Sequence, residues 1–249
     1  MRRLRWRELL VILVLVVAAG LIVLPMFTRA RESARRASCQ NNLKQLGLVL
    51  KMYANETKGE KFPPLSRRPG DWMLDIPAVY PEYLSDLNIL VCPAHPYAGT
   101  APFALKHTWD HPASAPRELN PDCAWGRFYT YTGHAIISDE QAAALYAAAH
   151  QQGWNAVRDQ DLELDVPVWE GSNRAKSVGQ NGIPVLWDRV PLDPEMLPHA
   201  NAMINVLHMD GHVEAVPYAH DNGSNNFPVT YIAAQTFGRD VPQLPRDCY

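Results

Sequence analysis

Side chains that bind metal ions concentrate around one short stretch near residue 210. His208, Asp210 and His212 occupy alternate positions, His199 lies upstream, and Asp188 stands in a separate apolar segment. Imidazole and carboxylate groups suit zinc, so Asp188, His208, Asp210 and His212 are candidate ligands. The alternative is structural, because Asp-Gly between two apolar-rich runs favours a two-residue hairpin turn of type I′. Metal binding stays open on the sequence alone.

The sequence patterns for calcium binding and for catalysis are weaker than the pattern for zinc. Residues 191–197 (PLDPEML) and 239–247 (RDVPQLPRD) supply oxygen atoms for calcium, but neither has the acidic spacing of an EF-hand loop. The sequence contains no G-x-S-x-G, H-E-x-x-H, P-loop or G-x-G-x-x-G motif. We therefore expect no enzymatic activity and no required cofactor.

Four cysteines define the possible disulfide bonds: Cys39, Cys92, Cys123 and Cys248. Four cysteines allow three pairings, which sequence alone does not distinguish. Cys92 and Cys123 lie in loop-like, proline-containing surroundings, so we predict a disulfide bond between them. The alternative is a set of unpaired thiols.

A carboxylate and a proline bracket an apolar run near the N-terminus. Glu8 precedes residues 9–27, which carry no charge, and Pro25 lies near their end. A carboxylate costs up to about 3 kcal/mol at the bilayer centre and little near the headgroups. Near the headgroups, Glu8 is compatible with a solvated side chain paired with Arg5 or Arg7 of its own chain.

Residues 9–27 are long enough to cross a membrane, because as a helix they span roughly 28 Å. A removed secretory signal is the alternative, but no small-x-small cleavage site follows. The tail at residues 1–8 is short and carries four arginines, which favours a cytoplasmic N-terminus with the bulk of the chain outside. The net charge of −3 does not suggest a nucleic-acid partner.

The helix is predicted to continue beyond the membrane through residues 28–56, an amphipathic segment with no proline. Its apolar residues recur at the spacing of one helix face: Cys39, Leu43, Leu46, Leu50 and Tyr53. The opposite face carries Arg35, Arg36, Asn42 and Lys51. Residues 57–249 contain 20 of the 21 prolines and all nine histidines, so we predict a head domain with short elements.

Within the head, composition predicts a small antiparallel sheet. Strands are expected within 127–137 and 182–190, and a hairpin is expected near 203–209 and 212–217. Residues 138–153 are predicted to form a helix, with Ser138 as the N-cap and Gly153 as the C′ residue. Residues 227–237 (FPVTYIAAQTF) are predicted to add another strand. The predicted fold class is α+β, with one long N-terminal helix packed on the sheet.

Three stretches together resemble type IV pilin-like proteins. They are the Glu8-to-Pro25 spacing around the apolar run, residues 29–56, and residues 199–216, where His199 is followed by Asp210-Gly211. The likeness is greatest to the pseudopilin-like (prepilin-type) group of planctomycete and verrucomicrobial bacteria. It covers both ends of the chain well and the middle loosely.

The resemblance implies a structural subunit of a type IV pilus-like filament or a type II secretion pseudopilus. Its implied partners are copies of itself, the inner-membrane assembly machinery and the lipid bilayer. Its implied location is the inner membrane as a single-pass protein, with the head periplasmic or at the cell surface. In the family the glutamate meets the N-terminal amine of a neighbour, and type II secretion major pseudopilins bind calcium through C-terminal loops.

Arg3 stands where a pilin precursor carries the glycine before its cleavage site. Without cleavage, Arg5 or Arg7 of a neighbouring copy would replace the amine as the partner of Glu8. This difference also keeps two other functions open. One is a monomeric anchored protein whose head binds a ligand, and the other is an anchored metallohydrolase built on the histidine cluster.

Overall fold

A computed structural model describes residues 6–57, 61–99, 120, 123–158, 179–199, 202–218 and 226–239. The fold is α+β, as predicted. The α-helices in this part of the chain are α1 (Trp6–Glu56), α2 (Ile76–Val79), α3 (Asp139–Gln151), α4 (Trp154–Arg158) and α5 (Tyr231–Phe237). The strands are β1 (Tyr129–Tyr131), β2 (Pro184–Asp188), β3 (Met203–His208) and β4 (Val213–Pro217).

Helix α1 runs without interruption through both predicted segments. It has 51 residues and contains Pro25 in its interior. Proline has no N–H group, so the helix loses one backbone hydrogen bond there but is not ended. The division of the chain into a tail, a membrane segment, an amphipathic segment and a head at residues 1–8, 9–27, 28–56 and 57–249 remains a prediction.

The four strands form one antiparallel sheet in the order β1-β2-β3-β4. The second half of α1 packs against β3, β2 and β4. Gly47 lies close against β3, because a Cβ atom there would stand only 3.0 Å from Leu207 Cδ2. The absence of a side chain at Gly47 therefore lets helix and sheet come together.

The predicted apolar stripe forms the helix side of the core. Cys39, Leu43, Leu46 and Leu50 are fully buried, and Tyr53 is half-buried with its ring edge against Tyr83. Two residues assigned to the polar face of the helix instead bind the head. Asn42 Nδ2 donates to the carbonyl oxygen of Val91 at 2.8 Å, and Lys51 Nζ donates to that of Asp210 at 3.0 Å.

The prediction for residues 138–153 is confirmed by α3. Ser138 Oγ accepts from the N–H of Gln141 at 3.4 Å, and Gly153 has a φ of +91°. The Gln141 side chain accepts from the N–H of Ile137 at 2.7 Å, one residue before the N-cap.

The predicted strand at residues 227–237 is wrong, because most of this segment forms α5. Thr230 Oγ1 accepts from the N–H of Ala233 at 3.1 Å and caps the helix. Phe237 then packs edge-on against Trp72 and Trp187. The N-cap and the burial of one helix face outweigh the strand preference of the aromatic and β-branched residues.

Candidate functional site

The first half of α1 is an apolar surface with no partner in the described chain. Large apolar side chains from Leu10 to Phe27 have exposed fractions between 43% and 72%. By length and composition, α1 contains a segment able to cross a membrane near the N-terminus. Such a surface is unfavourable in water, so it requires lipid or other protein surfaces around it.

Of the residues predicted to act in assembly, the structure describes the side chain of Pro25, which lies near the C-terminal end of this surface. Pro25 is inside the helix, and Thr28 Oγ1 donates to its carbonyl oxygen at 2.9 Å. Arg5 and the side chains of Arg7 and Glu8 lie outside the part of the chain that the structure describes. Their predicted pairing therefore remains a prediction.

A buried polar cluster joins α1 to the middle of the sheet. Asp188, at the end of β2, is fully buried, and its Oδ2 accepts from the backbone N–H of Asn205 at 2.9 Å and from its Nδ2 at 2.8 Å. His199 Nε2 lies 3.0 Å from the same oxygen. Gln40 of α1 completes the cluster by donating from Nε2 to Asn205 Oδ1 at 3.1 Å.

Two neighbours compete for His199 Nε2. Asp188 Oδ2, an acceptor when ionised, lies 3.0 Å from it, and the donor Asn205 Nδ2 lies 2.8 Å from it, so the role of this nitrogen depends on the ring tautomer. The Nδ1 atom of His199 is buried and has no hydrogen-bond partner in the described residues. The cluster thus holds the Asp188 side chain away from water with two donors from Asn205 and with His199 in contact, which orients β2, β3 and the segment carrying His199 relative to one another.

The predicted disulfide bond between Cys92 and Cys123 is wrong. Cys92 is bonded to Cys39 of α1, with a Cα–Cα distance of 5.0 Å, and Cys123 belongs to another disulfide bond. Both sulfur atoms lie within 4.8 Å of a ring nitrogen of His199. Cys39 faces the head because it belongs to the buried stripe of α1, and this long-range packing selects the pairing.

The hairpin at Asp210-Gly211 exists, but its turn is not of type I′. Gly211 has a φ of +98°, whereas Asp210 is not in the left-handed region. The N–H of Gly211 donates to the carbonyl oxygen of His208 at 2.9 Å, and the N–H of His208 donates to that of His212 at 2.9 Å. This pattern is the three-residue loop of a type I turn followed by a left-handed residue.

Side chains at the hairpin tip interact with each other. His212 Nδ1 lies 2.6 Å from Asp210 Oδ1, which also accepts from the His212 N–H at 3.0 Å. His208 Nε2 lies 3.0 Å from Glu214 Oε1, and its ring stacks on that of His212 with centroids 4.3 Å apart. Burial lowers the pKa of His208, and His212 lowers it further, while Glu214 acts in the opposite direction. His208 is therefore neutral at pH 7.

The four predicted metal ligands do not converge. His208 pairs with Pro184 across β2 and β3, whereas Asp188 lies four residues further along β2, about 13 Å away. Asp188 instead contacts His199, so Asp188 and the hairpin residues His208, Asp210 and His212 belong to separate sites. His199 and Asp210-Gly211, joined in one sequence motif, likewise lie in different places, one in the core and one at the turn.

Sequence reasoning missed Gln40, Asn205 and Glu214. Asn205 could have been found from the sequence, because a single amide side chain within the apolar run of β3 predicts a buried polar partner. Of the two predicted calcium loops, residues 191–197 carry Asp193, whose Oδ1 accepts from the N–H of Glu195 at 3.0 Å. Most of 239–247 lies outside the described residues, and calcium binding stays a prediction.

One comparison with known proteins gives a match. Residues 28–75 match the model of a family described as a protein of unknown function (DUF1559). The chain is similar to this family over that segment. The match covers about a fifth of the chain and includes the second half of α1 with Cys39 and the buried stripe. No curated protein and no solved structure matches the chain.

Proposed function

We propose that this protein is a membrane-anchored structural subunit that assembles with copies of itself through the first half of α1. The filament would be type IV pilus-like or a type II secretion pseudopilus. In this proposal the N-terminus is cytoplasmic, the helix crosses the inner membrane once, and the head lies in the periplasm or at the cell surface. The protein carries no catalytic activity and needs no cofactor for this role.

The observation that carries the proposal is the contrast between the two halves of one helix. From Cys39 to Ala54 the apolar face of α1 is buried against the head, whereas from Leu10 to Phe27 the apolar side chains are exposed on every side. A helix that only held the head together would end near its first buried turn. The additional turns extend an apolar surface away from the head, where lipid or the helices of other copies can cover it.

Exchange of lipid for neighbouring helices supplies the energy of assembly. Lipid tails are as apolar as leucine side chains, so moving α1 from lipid to a neighbouring helix removes no apolar surface from water. The free energy of association therefore comes from close packing and polar contacts between the helices. We assign such a contact to Glu8 at the start of the apolar run, with Arg5 or Arg7 of a neighbouring copy as its partner. Pro25, as the internal proline of α1, allows the helix to bend where it leaves the bilayer.

Imaging of sheared cells tests the proposal directly. Cells expressing the intact chain should shed fibres that contain this protein, and a variant lacking residues 9–27 should shed none. Glu8→Ala should lower the amount in fibres, while Glu140→Ala on the exposed face of α3 should leave it unchanged. If the intact protein stays monomeric after cross-linking in its membrane, assembly is refuted.

A monomeric anchored protein whose head binds a ligand is the second candidate. It is favoured by Arg3 and Leu4, which replace the residues that a prepilin peptidase recognises in the pilin-like group. Mass analysis of the N-terminus separates the two cases together with imaging, because an untrimmed, monomeric chain supports the second candidate.

A further inference from the structure

Three side chains that can bind a metal ion lie on one face of the β3–β4 hairpin. His208 ends β3 and stands opposite His212, and Glu214 follows two residues later in β4. Residues at positions i and i+2 of a strand share a face, and directly opposed residues are side-chain neighbours. One ligand atom from each of the three lies within 4.8 Å of the other two.

We propose that His208, His212 and Glu214 bind one divalent transition-metal ion of the zinc type. Two imidazoles and one carboxylate, with a fourth position left to water, are an established donor set for zinc. Ligand atoms about 2.1 Å from a tetrahedral zinc ion stand about 3.4 Å apart. His208 Nε2 and Glu214 Oε1 are already 3.0 Å apart. The rings of His208 and His212 lie stacked, so binding of one ion by both requires the exposed His212 ring to rotate about its side-chain bonds until its Nε2 lone pair points at the ion.

Asp210 is the positioning residue of this site. Its Oδ1 atom lies 2.6 Å from His212 Nδ1, which puts the proton on Nδ1 and leaves the lone pair of Nε2 available to the metal. Metal-binding histidines commonly donate their second ring N–H to a carboxylate in this way. The role of Asp210 in the site is therefore to fix the tautomer of His212, and it does not itself bind the ion.

His208 can change tautomer when it binds. Its Nε2 proton now faces Glu214, and its Nδ1 atom is buried without a partner among the described residues. Coordination through Nε2 moves the proton to Nδ1. The metal ion would then stand between Glu214 and this nitrogen in place of their present direct contact.

The site is open to solvent and distant from the bilayer. The side chains of His212 and Glu214 are 42% and 52% exposed, whereas that of His208 is 8% exposed. Lys51 Nζ, the nearby cation, is held by the carbonyl oxygen of Asp210. Lys51 follows Phe27 by about 36 Å along the helix, so a metal ion reaches the hairpin from water.

Titration of the full chain in detergent micelles, prepared without a polyhistidine tag and stripped of metal with EDTA, tests the site. We expect one zinc ion per chain by calorimetry and a tetrahedral cobalt(II) absorption spectrum that zinc abolishes. His212→Gln and Glu214→Gln should each weaken zinc affinity at least tenfold. Asp210→Asn keeps the turn acceptor and should weaken affinity about 10- to 100-fold.

His150→Gln is the matched control, because His150 is exposed on α3, an element separate from the hairpin. It should leave the affinity and the stoichiometry unchanged. Far-UV circular dichroism should show the same fold for all variants, since the altered side chains are exposed. The proposal is overturned if the intact chain binds no zinc, or if His212→Gln and Glu214→Gln bind it as tightly as the parent.

Discussion

Replacing both Cys39 and Cys92 with alanine removes the covalent link between α1 and the head. The two cysteines are separated by 53 residues along the chain. Closing a loop of that length lowers the entropy of the unfolded state by an amount worth about 4 kcal/mol at 25 °C. Both side chains are fully buried, so loss of their sulfur atoms adds a smaller packing term of the same sign.

The measurement is guanidinium unfolding of the full chain in detergent micelles, followed by tryptophan fluorescence. Trp72, Trp154 and Trp187 are buried in the head and report its unfolding. We expect the double variant to lose about 4 kcal/mol of unfolding free energy relative to the oxidised parent. Treating the parent with a reductant before unfolding should lower its stability toward that of the variant.

Two results would refute this reasoning. One is a double variant whose unfolding free energy lies within about 1 kcal/mol of the parent, the size of an ordinary point substitution. The other is a peptide map of the non-reduced protein that joins Cys92 to Cys123 instead of Cys39. The first result would mean that the bond adds little to the stability of the head, and the second would mean that Cys39 is not linked to Cys92.

Three further predictions concern the head. Asp188→Asn should cost at least about 2 kcal/mol of unfolding free energy, because the buried donors of Asn205 lose a charged acceptor. Glu140→Gln on the surface is the control and should cost little in the same denaturant assay. Burial chiefly, with Arg127 nearby, lowers the pKa of His95 from 6.5 to about 4. The folded state therefore binds this proton less readily than the unfolded state. The contribution of neutral His95 to the unfolding free energy is therefore complete above pH 6.5 and is lost as the pH falls toward 4, by at most about 3 kcal/mol. The unfolding free energy of His95→Gln should accordingly depend less on pH between 6.5 and 4. Gly211→Ala should cost about 1–3 kcal/mol in thermal unfolding because φ is +98°, whereas Gly99→Ala, with open space around it, should be neutral.

Local chemistry accounts for the elements that were predicted correctly. The stripe from Cys39 to Leu50 repeats at helical spacing, Ser138 and Gly153 mark the ends of α3, and Asp210-Gly211 marks the hairpin. Each signal lies within a few residues of the structure that it specifies. Even so, the turn type was wrong, because one additional residue enters the loop and only Gly211 adopts a positive φ.

Long-range packing decided what the sequence did not specify. The pairing of Cys39 with Cys92 depends on which face of α1 meets the head, and the burial of Asp188 depends on donors from β3 and from the segment carrying His199. Residues 231–237 form a helix because the cap at Thr230 and the core around Phe237 outweigh their strand preference.

By itself, the amino-acid sequence determined the length and apolar character of the N-terminal helix, since these depend only on consecutive residues. It also determined where the chain turns at Gly211 and Gly153. Which side chains meet was decided by the tertiary structure alone, because Gln40, Asp188, His199 and Asn205 are brought together only when the sheet packs on the helix. The same packing separates Asp188 from the hairpin histidines and leaves Glu214 as their neighbour.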